Sequence, residues 1–361
     1  MHRRNPLPRR NPLHCLVPDY VLREIARRGG ETEREAALDS LGVSATLRSA
    51  RAQAEAGRAA IGSVRLPSAA LRAPRVDRVI RNAVGGSDLA APVVRREGDP
   101  DSGDPAIDEA FEHFGSTWDF FFDVLARNSI DNAGMTLDGV VHYGRNFDNA
   151  FWDGDQMVFG DGSGTLFTRL TQSLSVCAHE LGHGVIQFDG PLVYQSQSGA
   201  LNEHIADAFG VMVHQWKHGQ TAEQADWLIG AEILAEGVDG QALRSMKQPG
   251  TAYDDDILGK DPQPGHMDGY VDTADDNGGV HINSGIPNKA FYEIATTLGG
   301  NSWDRAGRIL YSTLGHPQLR PTSDFRRFAR LNHRVAGQLY GADSVEAAAV
   351  ETGWTAVGIT V

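Results

Sequence analysis

The chain has 361 residues, two cysteines, 41% apolar residues and a formal net charge of −14. Two cysteines leave no room for a disulfide framework, and no run approaches the roughly 20 apolar residues of a membrane helix. What remains is a globular chain long enough to bury a large core, with its charge unevenly spread: residues 1–72 hold thirteen Arg, no Lys and seven acids, against 20 basic and 40 acidic residues beyond.

A basic head on an acidic body suggests association in cis, and the head lacks the interleaved aromatics of a nucleic-acid arm. Residues 1–17 also lack the apolar core of a signal peptide. Residues 1–14, rich in Arg, Pro and Asn, are predicted to be extended. Between Pro18 and about Ala60, the residues Tyr20, Val21, Leu22, Ile25, Ala36, Ala37, Leu38 and Leu47 recur at helical spacing. They predict two or three short amphipathic helices broken at Gly29-Gly30. The Ala-rich stretch 50–73 reads as an exposed linker and a cleavage region.

From Arg75 the pattern turns to short strands around Val76, Val79, Val84 and Val93-Val94. Residues 105–127 predict one long helix, with Phe111, Phe114, Trp118, Phe121, Phe122 and Leu125 as its apolar stripe. Val140–Tyr143, Ala150–Trp152 and Gln156–Gly160 are strand candidates between Asn, Asp and Gly turns.

The next stretch carries chemistry. His179-Glu180-Leu181-Gly182-His183 is a His-Glu-x-x-His pattern. Residues four apart on a helix differ by about 40° in azimuth, so His179 and His183 present both imidazoles from one face, where they can share a metal. Glu180, about 100° round from His179, is placed to reach a water on that metal and to act as its base. In the following helical pattern, opened by Gly199, Glu203 and Asp207 share a face. Glu203 is the candidate third ligand, which leaves a fourth position for water, the open arrangement of a catalytic zinc. Asp207, a turn further on, is expected to hold the second nitrogen of His179.

Beyond Tyr194 helices are predicted at 199–217, 222–236, 285–299, 302–314, 322–336 and 343–352, interrupted by Asp- and Gly-rich loops, the longer at 248–284. Loops of that length are more often functional than empty.

These motifs, with Asn149-Ala150-Phe151-Trp152, Gln156–Gly162, Tyr194-Gln195, Gly199–Glu203, Arg244-Ser245-Met246 and Asn277–Gly285, resemble the thermolysin-like zinc metalloendopeptidases, in particular their short-prosegment, protealysin-like branch. The resemblance runs from about Arg75 to the C-terminus. It implies an α+β fold: a basic prosegment and linker over 1–72, a β-rich catalytic lobe with the zinc helix over 73–195, and a mainly α-helical lobe over 196–361. It implies His281 and Tyr194 as oxyanion donors, with Asp276 orienting His281. Asn149, the backbone of Ala150, and Arg244 are implied as substrate clamps, Arg244 on the carbonyl just beyond the scissile bond. Phe167, Val176, Ile229 and Leu243 are implied as the pocket for the residue after that bond, hence cleavage before large apolar residues.

The implied protein is a secreted, monomeric proenzyme with one catalytic Zn2+, peptide and protein substrates, and its own prosegment as partner. A zinc aminopeptidase, or a binding protein with a permanently covered zinc site, are the other readings. Positions matching the family's paired calcium site read Ser175, His214, Leu228 and Ala231, too poor in oxygen ligands for a hard cation. Asp254-Asp255-Asp256 and Asp272 read as a solvated acidic loop rather than a calcium site. His14–Pro18 followed by a helix resembles a short prosegment that occupies the cleft. Cys15 has two readings, a thiolate on the zinc or a small buried side chain. Cys177 reads as pocket or core lining.

Overall fold

A computed structural model describes residues 14–61 and 74–361. Most of the extended tract expected over 1–14, and the end of the expected linker and cleavage region, lie outside the described residues. The head contributes β1 (His14–Cys15), α1 (Asp19–Arg28) and α2 (Glu31–Ile61). The break at Gly29-Gly30 is where it was expected, but α2 continues through 50–61, where a linker was expected. The composition accounts for this: Ala, Arg, Gln and Glu are strong helix formers, and the Ala-rich pattern propagates the helix.

Next come β2 (Arg78–Asn82), β3 (Val93–Arg96), α3 (Pro105–Leu125), β4 (Leu137–Val141), β5 (Ala150–Trp152) and β6 (Met157–Phe159). Val84, read as part of a strand, lies instead in a turn with φ 51°. Asp104 caps α3 by accepting from Ala106 N, with Pro105 in the first turn, where its missing N–H costs nothing. The strands form one mixed sheet in the order β1-β5-β6-β4-β2-β3. The β2–β4 and β4–β6 pairs are parallel and the others antiparallel. The head's own β1 therefore forms an edge of this sheet, with His14 opposite Trp152 and Cys15 opposite Phe151.

The rest is mainly helical: α4 (Leu174–Asp189), α5 (Ser196–His218), the short pair β7 (Leu228–Ile229) and β8 (Arg244–Ser245), a hairpin of β9 (Asp254–Asp255) and β10 (Gly259–Lys260), α6 (Asp276–Asn283), α7 (Gly285–Leu298), α8 (Ala306–Leu314), α9 (Phe325–Tyr340) and α10 (Val345–Ala356). The helix expected at 222–236 is absent. Trp227 and Gly230 take left-handed φ of 63° and 69°, and Leu243 and Met246 donate backbone N–H to Ile229 and Trp227. Pairing with a distant strand overrides the local helical spacing there.

Helix α4 is buried from Leu174 to Ile186 and packs along α5. Two glycines let these helices close up. A Cβ on Gly210 would stand 2.6 Å from the Ser175 carbonyl, and one on Gly182 would stand 3.3 Å from the Ala206 Cα. That approach brings a carboxylate on α5 to the histidines of α4.

The head is seated by apolar burial. Leu16, Val17, Val21, Leu22 and Ile25 are at most 1% exposed, each worth about 1.5–3 kcal/mol on full burial. The cross-boundary ion pair Arg23–Asp275, at 3.3 Å, is exposed on both sides and screened by solvent. Among the described residues, apolar burial is thus the larger part of the attachment.

Candidate metal centre

Helix α4 presents His179 and His183 inward with their Nε2 atoms 3.1 Å apart. Each Nδ1 is turned away and engaged. His183 Nδ1 donates to Asn202 Oδ1 at 2.9 Å, and His179 Nδ1 lies 2.8 Å from Asp207 Oδ1, bent from a straight hydrogen bond. With Nδ1 carrying the proton, both Nε2 lone pairs point into one small space. Glu203 reaches the same space from α5, its Oε2 3.5 Å from His179 Nε2 and its Oε1 3.4 Å from His183 Nε2.

All three side chains are buried, and Glu203 Oε2 has no hydrogen-bond partner. Two lone pairs facing each other beside a buried carboxylate are unfavourable unless a cation lies between them. The donor set therefore fits a zinc ion, and among the described residues it is the one His/Cys/Asp/Glu group compact enough to hold a metal. Cys15 is not part of it: its thiol turns to Ser44 Oγ at 3.8 Å, so the zinc-thiolate reading is set aside for the buried-side-chain one. Cys177 is likewise buried, in the core under α4.

Glu180 accepts from Trp152 N at 3.0 Å through Oε2, while Oε1 is buried and unpartnered. Burial, then the neighbouring Glu203 charge, raises its pKa well above the ordinary carboxylate value. Asp207 has a wider role than sequence suggested. Besides facing His179, it takes Arg244 Nε and Nη2 at 2.8–3.2 Å and Asn288 Nδ2 at 2.9 Å. Burial would raise its pKa, but Arg244 and His179 outweigh that and hold it low.

Asp276 begins four residues of left-handed backbone, φ 52°, 49°, 82° and 74° through Gly279. Two of them, Asp276 and Asn277, are not glycine, a strained arrangement of the kind found at functional sites. The turn brings Asp276 Oδ2 to His281 N at 2.8 Å and Oδ1 to His281 Nδ1 at 2.6 Å. Burial alone would lower the His281 pKa, but Glu203 and Asp276 hold it up to about 9. Tyr194 OH donates to Glu203 Oε1 and lies 3.2 Å from His281 Nε2.

The backbone of the head threads this site. Leu16 N donates to the Ala150 carbonyl at 3.0 Å, and Val17 N to Asn149 Oδ1 at 2.8 Å. Asn149 Nδ2 donates to Val17 O at 2.9 Å, Arg244 Nη1 to Leu16 O at 3.1 Å, and His281 Nε2 to Cys15 O at 3.1 Å. Leu16 has no exposed surface, and Phe167, Val176, Ile229 and Leu243 are all buried.

His179, Glu180, His183, Glu203, Asp207, Tyr194, Asp276, His281, Asn149, Ala150 and Arg244 are thus brought together around one site and the head backbone. Those that sequence reasoning missed are Asn202, Asn288 and the Trp152 amide. Asn202 alone left a signal, standing next to Glu203. Asn288 and the Trp152 amide act through tertiary placement.

A two-histidine, one-carboxylate centre beside a glutamate with one free, buried carboxylate oxygen, on a helix between a sheet lobe and a helical lobe, defines a metallohydrolase. Family models for the thermolysin metallopeptidase catalytic domain and its alpha-helical domain match residues 99–187 and 190–359. An extracellular metalloprotease of Pectobacterium carotovorum is 47% identical over 97% of both chains. Protease PrtS of Photorhabdus is 44% identical over 96% of this chain and 92% of its own. The precursor of protealysin, a metalloproteinase from Serratia proteamaculans, superimposes with a TM-score of 0.86 at 44% identity, covering 96% of this chain and all of that one. The chain belongs to the thermolysin metallopeptidase family, in its protealysin-like branch, and is a zinc neutral endopeptidase made as a proenzyme.

Proposed function

We propose that this chain hydrolyses peptide bonds on the N-terminal side of large apolar residues, and that His14–Val17 blocks the cleft in the manner of a substrate until the head is removed. The observation carrying this is the backbone of Cys15, Leu16 and Val17 held by His281, Arg244, Ala150 and Asn149. His179, His183 and Glu203 would hold the zinc. Once bound it supplies a Lewis acid that brings a water's pKa from 15.7 to about 7.

Glu180 takes that water's proton at Oε1, since Oε2 is committed to the Trp152 amide, and later delivers it to the leaving amine. His281, held by Asp276, and Tyr194 donate to the oxygen that gains charge at the carbonyl under attack. Arg244, anchored by Asp207, holds the next carbonyl, and Phe167, Val176, Ile229 and Leu243 receive the side chain between them. Residues 1–72 act as prosegment and linker, 73–195 as the β-rich lobe with the zinc helix, and 196–361 as the helical lobe.

We infer a single metal. At the positions where the family's calcium pair would sit, Ser175 Oγ accepts from Gly230 N at 3.0 Å and His214 Nε2 lies 3.7 Å from Glu232. The extracellular relatives support secretion, and a monomer is proposed.

The test uses a peptide blocked at both ends, with Leu after the target bond, before and after limited proteolysis near residues 55–75. Hydrolysis is expected after proteolysis and is lost on chelation, while a blocked peptide gives an aminopeptidase nothing to cut. Glu180→Gln is expected to lose about 10²–10⁴-fold in kcat or more while keeping its zinc by elemental analysis. A fully active Glu180→Gln would remove Glu180 from the mechanism.

A further inference from the structure

We propose that the Cys15–Leu16 peptide bond is itself a substrate bond of this active site, cut by the chain that carries it. This rests on the endopeptidase reading and on the roles given above to His281 and Arg244. His281 Nε2 holds the Cys15 carbonyl and Arg244 Nη1 holds the Leu16 carbonyl, both at 3.1 Å. One is the group for the carbonyl under attack, the other the group for the carbonyl just beyond it. The bond between them stands at the position of cleavage.

Three further observations agree with this register. The strand β1 adds antiparallel to β5, as an extended peptide adds to an open sheet edge, and its amides and carbonyls are held as far as Val17. The residue following the bond is Leu16, an apolar side chain with no exposed surface, as the proposed preference for large apolar residues requires. The Trp152 amide that holds Glu180 belongs to the residue paired with His14, so the proposed base adjoins the segment to be cut.

Among the described residues, the head supplies no ligand to the metal group. The Cys15 thiol is directed to Ser44, outside the compact ligand group, so the head offers the centre a peptide bond rather than a ligand.

The reaction is hydrolysis with water as co-reactant. The water oxygen bonds to the Cys15 carbonyl carbon, and the bond from that carbon to Leu16 N breaks. Both of the water's protons end on Leu16 N, the first carried there by Glu180 as the bond breaks and the second as the new Cys15 carboxyl group ionises. The products are a Cys15 carboxylate and a chain beginning with the Leu16 ammonium. Val21, Leu22 and Ile25 remain buried after the cut, so residues 16–61 stay seated and the nick precedes release of the head.

Full-length zinc-loaded protein is incubated and followed by intact-mass spectrometry and N-terminal sequencing, alongside the blocked peptide given to protein nicked near residues 55–75. A chain starting at Leu16 is expected to accumulate at a rate independent of protein concentration. It should be absent from Glu180→Gln, about tenfold or more slower in Leu16→Gly, and retained in Leu16→Phe. In zinc-free Glu180→Gln, hydrogen exchange at the Leu16 and Val17 amides should be slow, and Asn149→Ala should speed it at Val17. If the external peptide is cut while Cys15–Leu16 stays whole, the proposal is overturned and the endopeptidase reading stands. If neither is cut, both fall. Fast exchange at both amides overturns the register by a route that needs no turnover.

Discussion

His281 and Asp207 each gather several separate contacts around the site. His281 is held from behind by Asp276 at two points and offers Nε2 to a carbonyl. Because oxyanion donors act mainly in the transition state, His281→Ala is expected to lower kcat of the released enzyme by about 10²–10³-fold with KM little changed. Steady-state kinetics on a blocked peptide decide this, and a change confined to KM would recast His281 as a ground-state clamp. Asp207 joins the metal side of the cleft to the substrate side, since one carboxylate faces His179 and anchors Arg244. Asp207→Asn is expected to weaken zinc binding by about 10–100-fold, measured by competition with a chelator, and to raise KM as Arg244 loses its anchor.

At the scale of elements, the site depends on how closely α4 and α5 approach. No side chain stands between the Ser175 carbonyl and Gly210, and Glu203 lies two turns before that glycine on α5. Gly210→Ala would place a methyl against backbone that cannot rotate away. The expected destabilisation is about 1–3 kcal/mol in a urea titration at saturating zinc, with a loss of zinc affinity as Glu203 is levered outward. An unchanged midpoint would mean that the helices separate freely. The segment 222–236 teaches the reverse lesson: its spacing is helical, yet Ile229 pairs with Arg244 as a strand instead.

At the scale of the whole molecule, one large apolar cluster takes residues from the head and from both lobes, and the acid Asp148 is buried at a cost. Asp148, next to Asn149, is 1% exposed and accepts from Ser163 N through Oδ1, while Oδ2 has no partner. Its backbone N–H donates to Ser40 Oγ of the head. Burial raises its pKa from 3.8 to about 6, so the folded chain holds this proton more tightly than the unfolded chain does. Its contribution is therefore most favourable below about pH 4, falls as pH rises to about 6, and is flat beyond. The fall is of order 3 kcal/mol. Thermal melts of the intact proenzyme should show wild type losing stability relative to Asp148→Asn across that interval. Parallel melts would exclude the burial penalty.

What the sequence determined by itself is the chemistry that depends on local spacing. The His179 and His183 pair on one helical face, Glu180 offset from it, and Glu203 with Asp207 one turn apart all follow from 3.6 residues per turn. The aromatic stripe of α3 follows from the same period, and the head's helix break from two glycines. The family motifs placed Tyr194, Arg244, Asp276 and His281 in one cleft, where helical period is silent.

Only the tertiary structure decided the rest: that residues 228–229 pair as a strand, that Asp207 serves His179 and Arg244 together, that Asn202 holds His183, and that Cys15 turns from the metal while its carbonyl meets His281. Each of these is a contact between segments far apart in the chain. Their geometry is set by how closely helices pack and which sheet edge stands open, and no local period records either.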